Sequence, residues 1–302
     1  MNDTPSKFRL SWVPYAFLLP ALGILTLTVF FPAFQAFSLS FARYERMLND
    51  PPTWIGLANF ERLLADPVFW QTLRNTLLYL IGVVPILVFL PLFLAVLVNQ
   101  KLRGIHWFRM YFFTPVVISM VVAGIAWNAL YDSNGVFNQI LRALGWESGI
   151  LWLTDPHSNL PLYSVMVVTI WKGLGYYMVI YLAGLQGIPA ELYEAAAIDG
   201  SVGWRKHWDI TLPLMRPYLV LVAVISAISA TKVFDEVYVM TQGGPGNRSK
   251  TVVFYMYEQA FRHFEITYAC TIGLVLFLLI FGLALLNLYL SNRQKNYANL
   301  RF

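Results

Sequence analysis

Six long apolar runs set the limits on what this chain can become. They fall at about residues 12–37, 75–98, 110–130, 162–185, 215–240 and 268–290. Each supplies the roughly 20 residues that a helix rising about 1.5 Å per residue needs to cross a hydrocarbon core. Backbone amides cannot stay unpaired in lipid, so each run is expected to be helical. Charged residues make up 12% of the 302, about half the usual share, which excludes an ordinary soluble domain. The expected fold class is an all-α membrane protein with six transmembrane helices. Pro20 and Pro32 in the first run, and Pro85 and Pro91 in the second, predict bends of the kind membrane helices tolerate. The plan that follows is a polar lead (1–11), a transmembrane body (12–290) and a tail (291–302). No small-residue cleavage site follows the first run, so it is expected to remain as an anchor.

The polar stretches set orientation. With both termini inside, eleven Lys and Arg fall in the inner segments and eight in the outer ones, although the outer loops (40–74 and 132–161 among them) are much longer. The density of basic charge therefore favours cytoplasmic termini. The net charge of +5 is dispersed along the chain and fits this topology better than a nucleic-acid partner. The single cysteine, Cys270, permits no internal disulfide, and His106, His157, His207 and His263 lack metal-ligand spacing. No Ser-His-Asp or Cys-His arrangement, zinc spacing or dinucleotide fingerprint is present. Residues 244–251 mimic a phosphate-binding loop, but Ser249 stands where that loop requires glycine, and no strand precedes it. The stretch reads as a turn, so the chain is expected to be no enzyme and to hold no ATP site of its own.

Residues 189–213 are the one long polar interruption in the second half. Pro189 suits a first helical turn, and Glu191 and Glu194 follow near its positive end. Leu192, Ala195 and Ala196 share a face on which the alanines admit a close neighbour. Asp199 and Gly200 end the helix, glycine being the residue that takes a left-handed turn. A second short helix over 204–209 leads to Ile210, Leu212 and Pro213, where the next span opens. The whole reads as a helix-turn-helix knob.

Ionisable groups inside a membrane are costly and point to function. Lys172 lies mid-span, where it either meets a backbone carbonyl or faces a hydroxylated solute. Lys232 has Asp235 and Glu236 three and four residues on, so local pairing is expected. Trp127, Asn128, Trp171 and Tyr176 lie at similar depth. Aromatic residues are 16% of the chain, so packing accounts for any one ring, and only the grouping of Trp171, Lys172, Gly175 and Tyr176 raises the solute reading.

The spacing Glu194-Ala195-Ala196, three residues, Gly200, nine residues, Ile210-x-Leu212-Pro213 resembles the EAA loop of ABC-importer permeases, binding-protein-dependent inner-membrane subunits. Asn75-Thr76-Leu77, Trp171 to Met178, Leu182 to Pro189, Phe234-Asp235 and Thr241-Gln242-Gly243-Gly244-Pro245 look like the carbohydrate-uptake branch, similar to maltose-type and glycerol-3-phosphate-type subunits. The resemblance covers roughly residues 70–290. It lacks the two extra N-terminal spans and the large outer domain of the maltose prototype. It implies a cytoplasmic coupling loop that docks on an ATPase and a second permease subunit as heterodimer partner. It also implies two ATPase subunits carrying ATP and magnesium, and an extracytoplasmic substrate-binding protein that docks near 241–245. The implied location is a bacterial inner membrane, and the implied cargo a sugar or polyol-like solute. The alternatives are an ion-gradient-driven transporter and a permease for a non-carbohydrate solute. The former predicts an internal repeat, and none is evident.

Overall fold

The computed structural model describes residues 12–44, 52–100, 103–146 and 148–298, the side chains of Val13 and of 286–298 excepted. The lead 1–11 and the last four residues lie outside it. The first span, α1 (Pro14–Leu39), passes through a π turn at Thr26–Phe30. A two-residue hairpin, β1 (Ala42–Arg43) with β2 (Thr53–Trp54), leads to the short α2 (Ala58–Ala65). The second span, α3, runs from Pro67 to Val98. It starts eight residues before the apolar pattern, because Asp66 caps it by accepting from Val68 N at 2.8 Å and Pro67 suits its first turn. Its helix continues through Pro85 and Pro91.

The third and fifth spans differ from the sequence expectation, since neither is one helix. The third divides into α4 (Ile105–Val117) and α5 (Met120–Tyr131), with a 100° bend between them. Ile118 is extended at ψ 135°, and Ser119 caps the new start by accepting from Val122 N. Apolarity averaged over the run carries no sign of this, because both halves are apolar. The fifth becomes α9 (His207–Leu214), a 57° bend, α10 (Arg216–Thr231) and α11 (Asp235–Met240). Pro213 therefore lies inside α9 instead of opening the span. Two further helices lie in connecting segments where no long pattern announced them, α6 (Val136–Ala143) and α12 (Val252–Tyr257). Between α5 and α11 in the chain lie α7 (Leu160–Gln186) and α8 (Ala190–Ile198); α13 (Ile266–Ala298) is the last span and runs past the expected end at 290.

The core forms where α3, α7 and α10 pack, with α4 laid on α7 and α11 on α5. Tyr79, Val83, Val165, Val168, Met178, Tyr181, Met215 and Val222 are buried there. Gly175 permits the α4–α7 approach, since a Cβ would meet Phe112 O at 2.2 Å. A second cluster (Leu63, Phe69, Tyr255, Tyr268, Ile272) ties α2, the start of α3, α12 and α13 together. By contrast, no residue in the most apolar stretch of α1 is buried. It touches α13, with Phe37 against Phe277 at 5.2 Å.

Candidate functional site

The knob closes on itself through short-range bonds. Helix α8 starts at Ala190, with Pro189 as its cap and not in its first turn. Gly200 stops it at φ +83°, with Gly200 N donating to Ala197 O (3.1 Å) and Ser201 N to Ala196 O (2.8 Å). That pair of bonds is the Schellman arrangement, which satisfies carbonyls the helix end leaves open. Ser201 Oγ donates to Asp209 Oδ2 at 2.7 Å, and Arg205 Nε to the same oxygen at 3.3 Å. Tyr193 and His207 both share hydrogen bonds with Thr211 Oγ1 at 3.0 Å. The ring of Trp204 stacks on Phe93 near the end of α3, which seats the knob on the bundle. Ala196 turns inward, whereas Leu192, Glu194, Ala195 and Asp199 are exposed, so the expected shared face is divided. Ile210 and Leu212 are half-buried and Pro213 is exposed. Around them stand Ile198 at 89% exposure, Val202 at 64% and Trp208 at 69%, an apolar patch that the chain itself leaves uncovered.

The break in the third span explains Lys172. Its Nζ donates to Val116 O at 3.1 Å, where α4 ends and its last carbonyls need donors. A cation at a helix C-terminus is favoured by the dipole. Lys172 also lines a cavity of about 410 Å³ with Thr169, Tyr176, Ser226, Ser229, Asp235 and Glu236. Thr169 Oγ1 donates to Glu236 Oε1 at 3.0 Å and contacts the hydroxyl of Tyr79. Three expected path residues (Lys172, Tyr176, Asp235) therefore meet. Thr169, Ser226 and Ser229 were missed, although Thr169–Lys172–Tyr176 and Ser226–Ser229 have helical spacing that places each set on one face.

The expected pairing of Lys232 is not found. Helix α10 ends at Thr231, Lys232 is its cap, and Asp235 and Glu236 begin a new helix. The three-and-four spacing thus has no shared helix to act along. Among the described residues Lys232 forms no ion pair and is exposed. Trp127 and Trp171 meet edge to face at 5.5 Å, apart from the Lys172 cavity lining. Asn128 Nδ2 donates to Val239 O at 3.2 Å. Asn128 belongs to a different cavity, shared with Thr241, Gly244 and Pro245.

The turn at 241–251 is folded against the second span. Asn75 Nδ2 donates to Asn247 O (2.8 Å) and Lys250 O (2.9 Å), and Thr76 Oγ1 accepts from Val252 N (3.0 Å). Ser249 Oγ donates to Gly244 O at 2.6 Å. Gly243 is buried, Thr241, Gly244 and Pro245 are half-buried, and Lys250 is held in a buried ion pair with Glu258. Nearby, Asp66 Oδ2 accepts from Tyr255 (2.5 Å) and Tyr268 (2.7 Å). Burial pushes the Asp66 carboxyl up, but the hydroxyls of Tyr255 and Tyr268 and the N–H groups of Val68 and Phe69 outweigh it and hold its pKa below 3.8.

Comparison with known proteins places this architecture. The profile of the family described as binding-protein-dependent transport system inner membrane component matches residues 67–296. The arabinooligosaccharides transport system permease protein of Halalkalibacterium halodurans is 35% identical over 287 residues, covering 94% of this chain and 89% of its own. The lactose transport system permease protein of Rhizobium radiobacter is 34% identical over 299 residues, covering 93% of this chain and 94% of its own. A solved chain from a bacterial ABC transporter that imports the acidic polysaccharide alginate shares the fold, with a TM-score of 0.79 at 24% identity over 93% of this chain and 96% of that one. A match that takes in the knob at 189–213, the broken spans and the 241–251 turn together shows that this chain belongs to the family of binding-protein-dependent transport system inner membrane components.

Proposed function

We propose that this chain is one of two related membrane subunits of an ATP-driven, binding-protein-dependent importer for a sugar or polyol-like solute. The observation that carries the reading is the knob at 189–213, stitched internally and capped by uncovered apolar side chains. A surface of that kind marks a site for protein contact. Two partner ATPase subunits hold ATP and magnesium, and the chain itself contributes no nucleotide site. Glu194, Ala195 and Asp199 face the ATPase, and Gly200 sets the angle of the knob. Motion transmits because the ATPase contacts the inward- and outward-facing states differently. The carbohydrate class rests on relatives that are named for arabinooligosaccharides and lactose and align along nearly the whole chain. Family membership also removes support from the ion-gradient alternative.

Within the chain, Lys172, Tyr176 and Asp235 line the solute path, with Trp127, Asn128, Trp171 and Lys232 beside it. The binding protein docks on the opposite face, around Thr241, Gly243, Gly244 and Pro245. Both termini lie in the cytoplasm of a bacterium, with the body in the inner membrane. Affinity purification from the native membrane tests this directly. Recovery of a second permease, a Walker-motif ATPase and sugar uptake that needs ATP is the expected result. A chain that purifies alone and transports in liposomes without ATP would sink the reading.

A further inference from the structure

A cavity of about 450 Å³ lies where the end of α1 meets α12 and the start of α13, and it shares no lining residue with the cavity beside Lys172. Phe37, Phe234, Met256, Phe261, Cys270 and Leu274 are in its wall. The Tyr257 hydroxyl and the Cys270 thiol are the polar groups its side chains bring, and Tyr257 already hydrogen-bonds Tyr238. Water gains nothing in such a space, and an empty one forfeits the dispersion contacts of its wall. The occupant is therefore apolar. Its depth in the membrane follows from the elements around it. Helix α1 ends at Leu39 and α13 begins at Ile266, so the cavity sits at one boundary of both spans. Trp54, stacked on Phe41 just beyond α1, is exposed there, as suits a ring between lipid and water.

The rim supplies a cation. A π turn, Glu258–Arg262, carries the lining residues Ala260 and Phe261 and leads on to Ile266, which also lines the cavity. Glu258 is shared by two cations. Lys250 pairs with it closely, whereas Arg262 Nη1 approaches only to 3.7 Å and keeps its side chain 40% exposed. The other acid of this turn, Glu265, is taken by Arg62 at 3.1 Å. Among the described residues the Arg262 guanidinium donates no hydrogen bond, so its planar fork of donors is open to an anion. An apolar slot beneath a free guanidinium, at the boundary of a span, fits an amphiphile with an anionic head. A partner helix fits less well, since about 10 Å of width and 5.4 Å of rise would let no more than about one turn enter this volume. We infer that the cavity holds one acyl chain of an anionic glycerophospholipid, with the lipid phosphate on Arg262. The inference needs only the membrane body and stands whatever solute the chain carries.

The test uses phosphatidylglycerol with a photoactivatable diazirine at the end of one acyl chain. The chain, in its assembled membrane complex, is reconstituted into phosphatidylcholine bilayers with rising fractions of this probe. After irradiation, mass spectrometry locates the labelled residues. Adducts around Cys270 and Leu274 should saturate at a low probe fraction, and unlabelled phosphatidylglycerol should displace them. Arg262→Gln should raise the half-saturating fraction at least about fivefold, the worth of one basic residue at an anionic surface, and Arg262→Lys should recover most of that loss. Labelling that only rises in proportion to the probe overturns the inference, since the wall then meets bulk lipid. An absence of adducts there also overturns it and leaves the cavity to side chains of a partner subunit. Saturation that Arg262→Gln leaves unchanged removes the phosphate contact and with it the inference. The wild-type titration still decides whether a lipid chain occupies the cavity if Arg262→Gln fails to assemble.

Discussion

Gly200 holds φ at +83° with open space where a Cβ would stand, so its requirement is conformational and not steric. A β-branched residue there pays about 1–2 kcal/mol for the left-handed backbone, enough to shift the stop of α8 without unfolding a bundle whose core lies elsewhere. Gly200→Val should insert and assemble normally but lose most ATP-coupled uptake; full uptake in that variant would contradict the role of Gly200 in setting the angle of the knob. Lys172 belongs to the same scale. Lys172→Met removes the donor to Val116 O, a bond to a charged group worth about 1.5–3 kcal/mol, and the cation from the cavity wall. The expected result is a lower melting temperature together with a raised apparent KM for solute. A lower melting temperature with unchanged KM would make the lysine a helix cap alone. Gly200 was legible in the sequence because its role is local, set by the nine residues of helix before it. The partner of Lys172 was not, because Val116 lies 56 residues away and becomes an acceptor only where α4 breaks.

At the scale of elements, the informative features are the breaks. Hydropathy located the third and fifth spans but joined what the structure separates, because a 100° bend costs nothing in apolarity when both halves remain apolar. Backbone groups freed at such a break must be re-paired by protein, and here Ser119 and Lys172 do so. The crossing of α4 over α7 depends on Gly175, whose Cβ would sit 2.2 Å from a backbone oxygen that cannot rotate away. Gly175→Ala should therefore separate these helices and destabilise the assembled protein by about 1–3 kcal/mol, the usual cost of overpacking. Thermal unfolding of the purified complex measures it, and an unchanged midpoint would show that the crossing is loose. The small helices α6 and α12 escaped the sequence reading for a related reason. Each is six to eight residues long, too short to show a period against a background rich in aromatics.

For the whole molecule, two facts complement each other. The long helix α1 has no buried residue in its most apolar stretch, so lipid or a second subunit must cover it. The opposite side of α13 is bound firmly through Asp66, whose carboxylate gathers Tyr255, Tyr268 and the start of α3. That carboxyl has its folded pKa below 3.8, so its contribution is complete above the unfolded value and is lost as pH falls through the folded one. Amide exchange across 252–268 should be constant from about pH 7 to 5, after correction for intrinsic rates, and should accelerate only below about pH 4. Acceleration beginning near pH 6 would assign the tie to another group.

The sequence by itself determined that this chain is a helical membrane body, where its spans lie to within about eight residues, and that residues 189–213 form a capped knob. Those properties follow from local apolarity and from single residues such as Gly200, whose effects reach only a turn or two along the chain. Only the tertiary structure decided that Lys172 closes a broken helix and that Lys232 and Asp235 do not share one. It alone joined Asn75 to the turn at 241–251 and placed Phe37 in one wall with Cys270. Each of these joins residues far apart in sequence, and in a membrane such pairings are set by where backbone groups go unpaired, which no single stretch of sequence reveals.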